Sequence, residues 1–263
     1  MYDFAYSRPA SLKDAQSQLA KAGDDGVFMA GGQSLIPALK LRLRRPSAVV
    51  DLGSVPGLDT IAVEGDRLVI GALATHAAVA ASKIVREKIP ALAALAGGIG
   101  DPQVRNRGTL GGSIANADPA ADYPAAVVGL DAEVVTDKRT IKADAFFTGL
   151  FETALKPGEI VTAVKFRIPE KAGYAKFPQP ASHFALVGVL AAKFKDGARV
   201  AVTGAGPSVF RVEAMEKALA KDFSGAALGG ITVPADDLNS DLHADAAYRA
   251  HLIGVMAGRA ANG

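Results

Sequence analysis

Two stretches, MAGGQSLIP at residues 29–37 and GTLGGSIAN at 108–116, share one arrangement: a pair of glycines followed by short polar residues. Glycine reaches positive φ without steric cost, so Gly31-Gly32 and Gly111-Gly112 allow successive N–H groups to turn toward one point. A point faced by several amide hydrogens holds an anion. With hydroxyl donors such as Ser34 and Ser113, peptide dipoles can hold a diphosphate without any lysine. Glycine pairs also make ordinary tight turns, and that alternative stands for each stretch alone. The tail of the second stretch adds Asn116, Asp118, Pro119 and Asp122 among small alanines. That is more hydrogen-bonding capacity and space than a plain turn needs.

Other anion-binding or catalytic patterns do not match. A Walker loop ends in Gly-Lys-Ser/Thr, and neither stretch carries the lysine. GAGPSV at 204–209 lacks the third glycine of a dinucleotide fingerprint and places Pro207 where a helix must begin. GGSIA is not the G-x-S-x-G elbow of a hydrolase. His76, His183, His243 and His251 have no metal-ligand spacing, so no metal site and no catalytic residue is assigned to this chain. The absence of cysteine excludes disulfides and cysteine-held clusters on it. A net charge of +2 is too balanced for a protein that grips phosphate backbones, which argues against nucleic acid. No leader-like start and no long apolar run is present, so the expected compartment is the cytoplasm, with no integral membrane segment.

The elements that must position these stretches follow from patterning. Ser11 caps a helix whose Leu12, Ala15, Leu19 and Ala22 share a face and which Gly23 stops. GVFMA reads as a short strand leading into the first glycine pair, and ALKLRLRRPSAVVDL as a short helix followed by a strand at 48–52. LDTIAVEGDRLVIGALAT reads as two strands around the turn EGD. HAAVAASKIVREKIPALAALAGGIG is helical in spacing, with Pro90 starting a second helix. The second glycine stretch reads as a loop. DYPAAVVGLDAEVVT follows as a helix turning into a strand, and EIVTAVKFRIP as a strand ended by Pro169. HFALVGVLAAKF and ARVAVTGAG read as adjacent strands joined at KDG, then come a helix over VFRVEAMEKALAKD and a terminal helix around DAAYRAHLIGVMAGRAAN.

Taken together, AGGQSLIP and DPQVRNRGTLGGSIANADPAADYPAA resemble the FAD-binding medium subunit of molybdenum hydroxylases, on the carbon monoxide dehydrogenase branch of the xanthine dehydrogenase family. The similarity extends to KPGEIVTAVKFRIP and FPQPASHFALVGVLAA. It implies an α+β protein with the vanillyl-alcohol-oxidase-type FAD fold: two α/β subdomains at 1–53 and 54–171, then a C-terminal α+β domain at 172–263. Carried over by position, Met29, Ala30, Gly31, Gly32, Gln33, Ser34, Leu35 and Ile36 wrap the FAD diphosphate. Thr109, Leu110, Gly111, Gly112 and Ser113 form the second half of the cradle, with Asn116 beside it. Asp122 meets the ribityl or ribose region, Ile160 the adenine, Lys176 the pyrimidine edge of the flavin and Ile99 an apolar flavin-side position. A cation at that edge would stabilise the reduced flavin.

The resemblance also accounts for the missing cysteines. It places iron–sulfur clusters on a small subunit and molybdopterin on a large one, in a dimer of heterotrimers, and gives this chain the task of passing electrons through FAD to an acceptor. Hydroxylation of substrate is not expected of it. Two other readings remain: a stand-alone flavin reductase or oxidase, and a non-catalytic nucleotide-binding module. The basic run Lys40, Arg42, Arg44, Arg45 is either a solvated face or a docking surface for an acidic partner edge. Arg105 and Arg107 either steady the cofactor loop or face the iron–sulfur subunit, and Phe184 is a core residue or a neighbour of the flavin ring.

Overall fold

A computed structural model describes all 263 residues. The first third of the chain builds a small parallel sheet from β1 (Ala5–Ser7), β2 (Gly26–Met29) and β3 (Ala48–Asp51), in the order β1-β3-β2. Helix α1 (Leu12–Ala22) is capped as its sequence requires, Ser11 Oγ accepting from Asp14 N and Gly23 leaving at φ 70°. Helix α2 (Leu35–Lys40) follows β2 through the first glycine pair. Tyr6 donates to Asp51 across this sheet.

The middle of the chain forms a five-stranded antiparallel sheet. Its members are β4 (Ile61–Glu64), β5 (Arg67–Gly71), β6 (Glu133–Thr136), β7 (Thr140–Lys142) and, after the two-stranded hairpin β8 (Phe147–Gly149) and β9 (Glu152–Thr153), β10 (Val161–Arg167). The order is β4-β5-β10-β6-β7. The helices between β5 and β6 are α3 (His76–Ala81), α4 (Lys83–Lys88), α5 (Pro90–Gly97), α6 (Pro102–Arg105), α7 (Leu110–Asn116) and α8 (Tyr123–Gly129). Pro90 does start a helix, α5. The alanine-rich run also breaks at Ser82, which ends α3 and caps α4 through its hydroxyl.

The last third holds the antiparallel sheet β11 (Lys171–Pro178), β12 (Ala185–Phe194), β13 (Gly197–Thr203) and β14 (Phe210–Arg211), with helices α9 (Glu213–Lys221) and α10 (Ala246–Asn262). The helix expected from Val209 begins only at Glu213, because Phe210 and Arg211 pair with β13 instead. Strand β12 is buried on both faces, and its alternation divides the core. Leu190, Ala192 and Phe194 join 31 buried residues that include Leu68, Leu92, Tyr123 and Phe166 of the middle section. Val187, Val189 and Ala191 face the opposite way and pack with Leu252, Ile253 and Met256 of α10. The C-terminal sheet is therefore one wall of the middle section's core.

An ion pair between buried Glu159 and half-exposed Arg139 anchors the approach to β10. Glu159, with its side chain fully buried, accepts from Arg139 at 2.9 and 3.0 Å, from the Thr136 hydroxyl at 2.8 Å and from Lys156 N at 2.8 Å. The guanidinium hydrogen bond, more than any other interaction, holds its carboxyl down to about 2 from an ordinary value of 4.5. The stability this contributes is complete above pH 4.5 and is lost as pH falls toward 2. Glu159→Gln is expected to cost about 2 kcal/mol at neutral pH and to flatten the acid limb of a pH–stability profile measured by urea unfolding.

Candidate functional site

A cleft of about 960 Å³ is walled by both glycine stretches. Its depth depends on how closely the two approach. A Cβ on Gly31 would overlap the carbonyl oxygen of Arg107, so only hydrogen fits there. Gly32 takes φ +75°, which turns the chain into α2. Gly111 lies against Ala72, where a Cβ would sit 2.8 Å from the carbonyl oxygen, and a Cβ on Gly112 would reach Ala30 at 3.3 Å.

The second stretch departs from the expected loop. Neither Gly111 nor Gly112 has positive φ; both lie in α7, which Thr109 caps by accepting from Gly112 N at 3.1 Å. Glycine is a poor helix former, and tertiary contact overrides that preference here. Leu110 N donates to Ala74 O, Gly111 N to Ala72 O and Ser113 N to Thr109 O, so the amides of residues 110–113 are all spent internally. The amides of residues 31–34 donate to nothing within the protein. One stretch thus presents free donors, and the other is a flat, satisfied platform beneath it. The expectation that both would turn their amides to a common ligand is corrected on this point.

Fifteen of the residues singled out in the sequence line the cleft: Met29, Ala30, Gly31, Gly32, Gln33, Ser34, Leu35, Ile99, Thr109, Gly111, Gly112, Ser113, Asn116, Asp122 and Ile160. Three do not. Ile36 turns inward beside Gly32, and Leu110 is fully buried in the main core. Lys176 stands one layer behind the wall, where its ammonium is 2.9 Å from each of three acceptors: Asp122 Oδ1, Gly98 O and His183 O. An ammonium has three protons, so all are committed to joining three segments of the wall. Asp122 also accepts from the Tyr174 hydroxyl at 2.5 Å; burial pushes its carboxyl above the ordinary range, against the pull of Lys176. Arg105 donates to Ile99 O and Gly100 O, both at 3.0 Å, and so steadies the adjoining turn.

Further residues complete the wall, among them Phe184, which is half exposed and so is not the core residue that one reading of the sequence expects. His76, only 5% exposed, borders the cleft and packs at a tilt against the Tyr123 ring, 5.3 Å between centroids. Burial and then Arg105 lower its pKa to about 4, so the imidazole is neutral at pH 7. A lone histidine opening an alanine-rich helix gives no spacing signal, which is why the sequence alone passes over it. Arg44, Phe151 and Phe184 also face the cleft. Five non-glycine residues have positive φ, and four are in the cleft wall or next to it: Arg42, Ala117, Phe151 and His183. Such conformations cost about 1–3 kcal/mol each and collect at binding sites.

The arrangement can hold a long ligand with a negative centre, its charge on the free amides and its ends in the apolar flanks. Residues 2–171 match the family model described as the FAD-binding domain in molybdopterin dehydrogenase. The chain is 35% identical to the carbon monoxide dehydrogenase medium chain of Hydrogenophaga pseudoflava, over 98% of this chain and 96% of that one. It is 37% identical to the nicotine 6-hydroxylase medium subunit of Paenarthrobacter nicotinovorans, over 94% and 92%. Among solved structures it is similar to reconstituted CO dehydrogenase from Oligotropha carboxidovorans, with TM-score 0.88, 33% identity and coverage of 98% and 96%.

Two outcomes test the geometry without any ligand. Gly31→Ala is expected to destabilise by about 1–3 kcal/mol through overlap with Arg107, whereas Gly254→Ala, in open space on α10, is expected to gain up to about 1 kcal/mol; thermal unfolding measures both. Because the folded pKa of His76 lies below its free value of 6.5, stability is expected to fall as pH drops from 6.5 toward 4. A His76→Phe variant should lose that part of the pH dependence.

Proposed function

The chain belongs to the family of FAD-binding domains of molybdopterin dehydrogenases, and from that premise we propose that it receives electrons from a partner's iron–sulfur clusters and delivers them through FAD to an external acceptor. It is an FAD-binding medium subunit of the carbon monoxide dehydrogenase-like molybdenum hydroxylases, an oxidoreductase component. Its fold is the expected vanillyl-alcohol-oxidase type followed by an α+β C-terminal part.

The observation that carries the reading is the set of unspent amides at 31–34 above a wall flattened by Gly111 and Gly112. A diphosphate bridge needs donors at that point and tolerates no Cβ beneath it. The volume of about 960 Å³ lies at the upper end of the usual range for ligand sites, as a dinucleotide requires. Bound FAD would supply reversible one- and two-electron chemistry. In this reading residues 30–34 bind the diphosphate, Ser113 and Asn116 add side-chain donors, and Ile99 and Ile160 wall the two ring ends. Asp122 meets the ribityl or ribose portion, and Lys176 holds Asp122 in place.

The partners are a small iron–sulfur subunit and a large molybdopterin subunit in a dimer of heterotrimers, and the chain divides functionally at 1–53, 54–171 and 172–263. The basic run Lys40, Arg42, Arg44 and Arg45 makes no salt bridge, though Arg42 and Arg45 lie over the Tyr2 ring and Arg44 borders the cleft; with exposed Leu41 beside it, the run suits an acidic partner surface with apolar patches.

The test is reconstitution. The purified chain is expected to bind one FAD, and Gly112→Val to lose it while circular dichroism stays native. Normal flavin content in that variant contradicts the assignment.

A further inference from the structure

A second cavity of about 420 Å³ adjoins the cleft, between the 179–186 loop, the 119–120 turn and the segment at 239–249. Ser182 and Phe184 belong to the walls of both spaces. Its most deeply buried charge is Arg249, 3% exposed. One terminal nitrogen of Arg249 donates to Leu186 O at 2.6 Å and Gly204 O at 3.1 Å, and the other to Asp241 Oδ2 at 2.8 Å. Its Nε–H has no acceptor. A guanidinium offers five donors in a fixed fork, and an unmet buried donor is costly.

The groups around it are already engaged on their acceptor side. Asp241 Oδ1 takes the N–H groups of His243 and Ala244, and Gln179 Oε1 takes those of Ala181 and Ser182. What Arg249 leaves unspent is its Nε–H and one proton of the nitrogen bound to Asp241, and beside them stand the Gln179 amide hydrogens; these donors suit a ligand with oxygens. The rest of the wall includes Phe184, which is 46% exposed, and Leu186. The ligand therefore combines an oxyanion with an apolar body.

We propose that this cavity binds a small organic carboxylate with a flat apolar body, its carboxylate on Arg249 and Gln179 and its body against Phe184. The two oxygens of a carboxylate can accept together from the Arg249 Nε–H and the remaining terminal N–H, a pairing a single-oxygen acceptor does not make. Phe184 also borders the cleft, so occupancy alters the environment of a ligand there. That last step rests on the FAD reading above.

The probe is benzoate, titrated into the FAD-loaded full chain and followed by ligand-detected NMR and by flavin difference absorption. Saturable binding is expected in both readouts. Arg249→Gln should weaken it about tenfold or more, as loss of a charge-assisted hydrogen bond does. Ala181→Trp, which fills the cavity from an exposed position, should abolish it and keeps the test intact if Arg249→Gln fails to fold. Phe184→Ala should weaken the NMR-detected binding and, at benzoate concentrations that saturate it, lose the flavin response. No saturable binding, or an affinity unchanged by Ala181→Trp, overturns the site; a flavin response that persists in Phe184→Ala overturns the shared wall. A chain that holds no FAD defeats the flavin reading alone, since the NMR titration still decides the cavity.

Discussion

The contact between Gly31 and the Arg107 carbonyl is the constraint on which the rest of the site depends. It permits only a hydrogen on one side and a backbone oxygen on the other. Two stretches far apart in sequence are thereby held at backbone distance, with no side chain between them. Their roles diverge because of where each one's hydrogen bonds go. Residues 110–113 settle theirs on Ala72, Ala74 and Thr109, which fixes α7 to the turn after β5. Residues 31–34 have nowhere to place theirs within the protein. Gly32 is buried and Gly31 half-buried, so their unpartnered amides are unfavourable, whereas Gln33 and Ser34 are exposed; a bound anion would relieve that deficit at the two glycines.

That deficit is one of several costs gathered around the cleft. Left-handed backbone at Arg42, Ala117, Phe151 and His183, and the buried, unpartnered Nδ1 of His76, are each unfavourable alone. They are offset by features outside the wall. Lys176 binds three wall segments through one ammonium. The core beneath α5, α7 and α8 is shared with the C-terminal sheet through Leu190, Ala192, Phe194 and Ala201. The C-terminal part is therefore a support for the cleft, and its strands cannot be separated from the middle section without exposing that core.

Much of the framework was legible in the sequence because each element carries its own local signals. The Ser11 cap, the EGD and KDG turns, Pro90 and the apolar run of β12 all gave the right element in the right place. What was not legible depends on partners distant in the chain. A helix through Gly111 and Gly112 contradicts local propensity and exists because Ala72 and Thr109 take up its first amides. The pairing of Phe210 and Arg211 with β13 likewise overrides a helical pattern. For the site, motif adjacency found the stretch but not the facing. Ile36 and Leu110 sit inside motifs whose neighbours line the cleft, yet a half-turn of backbone directs them to the core. Lys176 was legible as a charge near the site; that its three protons would be spent on Asp122, Gly98 and His183 was not.

The central claim is that the first glycine stretch donates and the second supports. A crystal structure of the chain with FAD tests it most directly. The account predicts diphosphate oxygens within hydrogen-bonding distance of the N–H groups of Gly31 to Ser34, with Leu110 to Ser113 keeping their internal partners. A diphosphate held by the amides of residues 110–113, or flavin density outside this cleft, would contradict it.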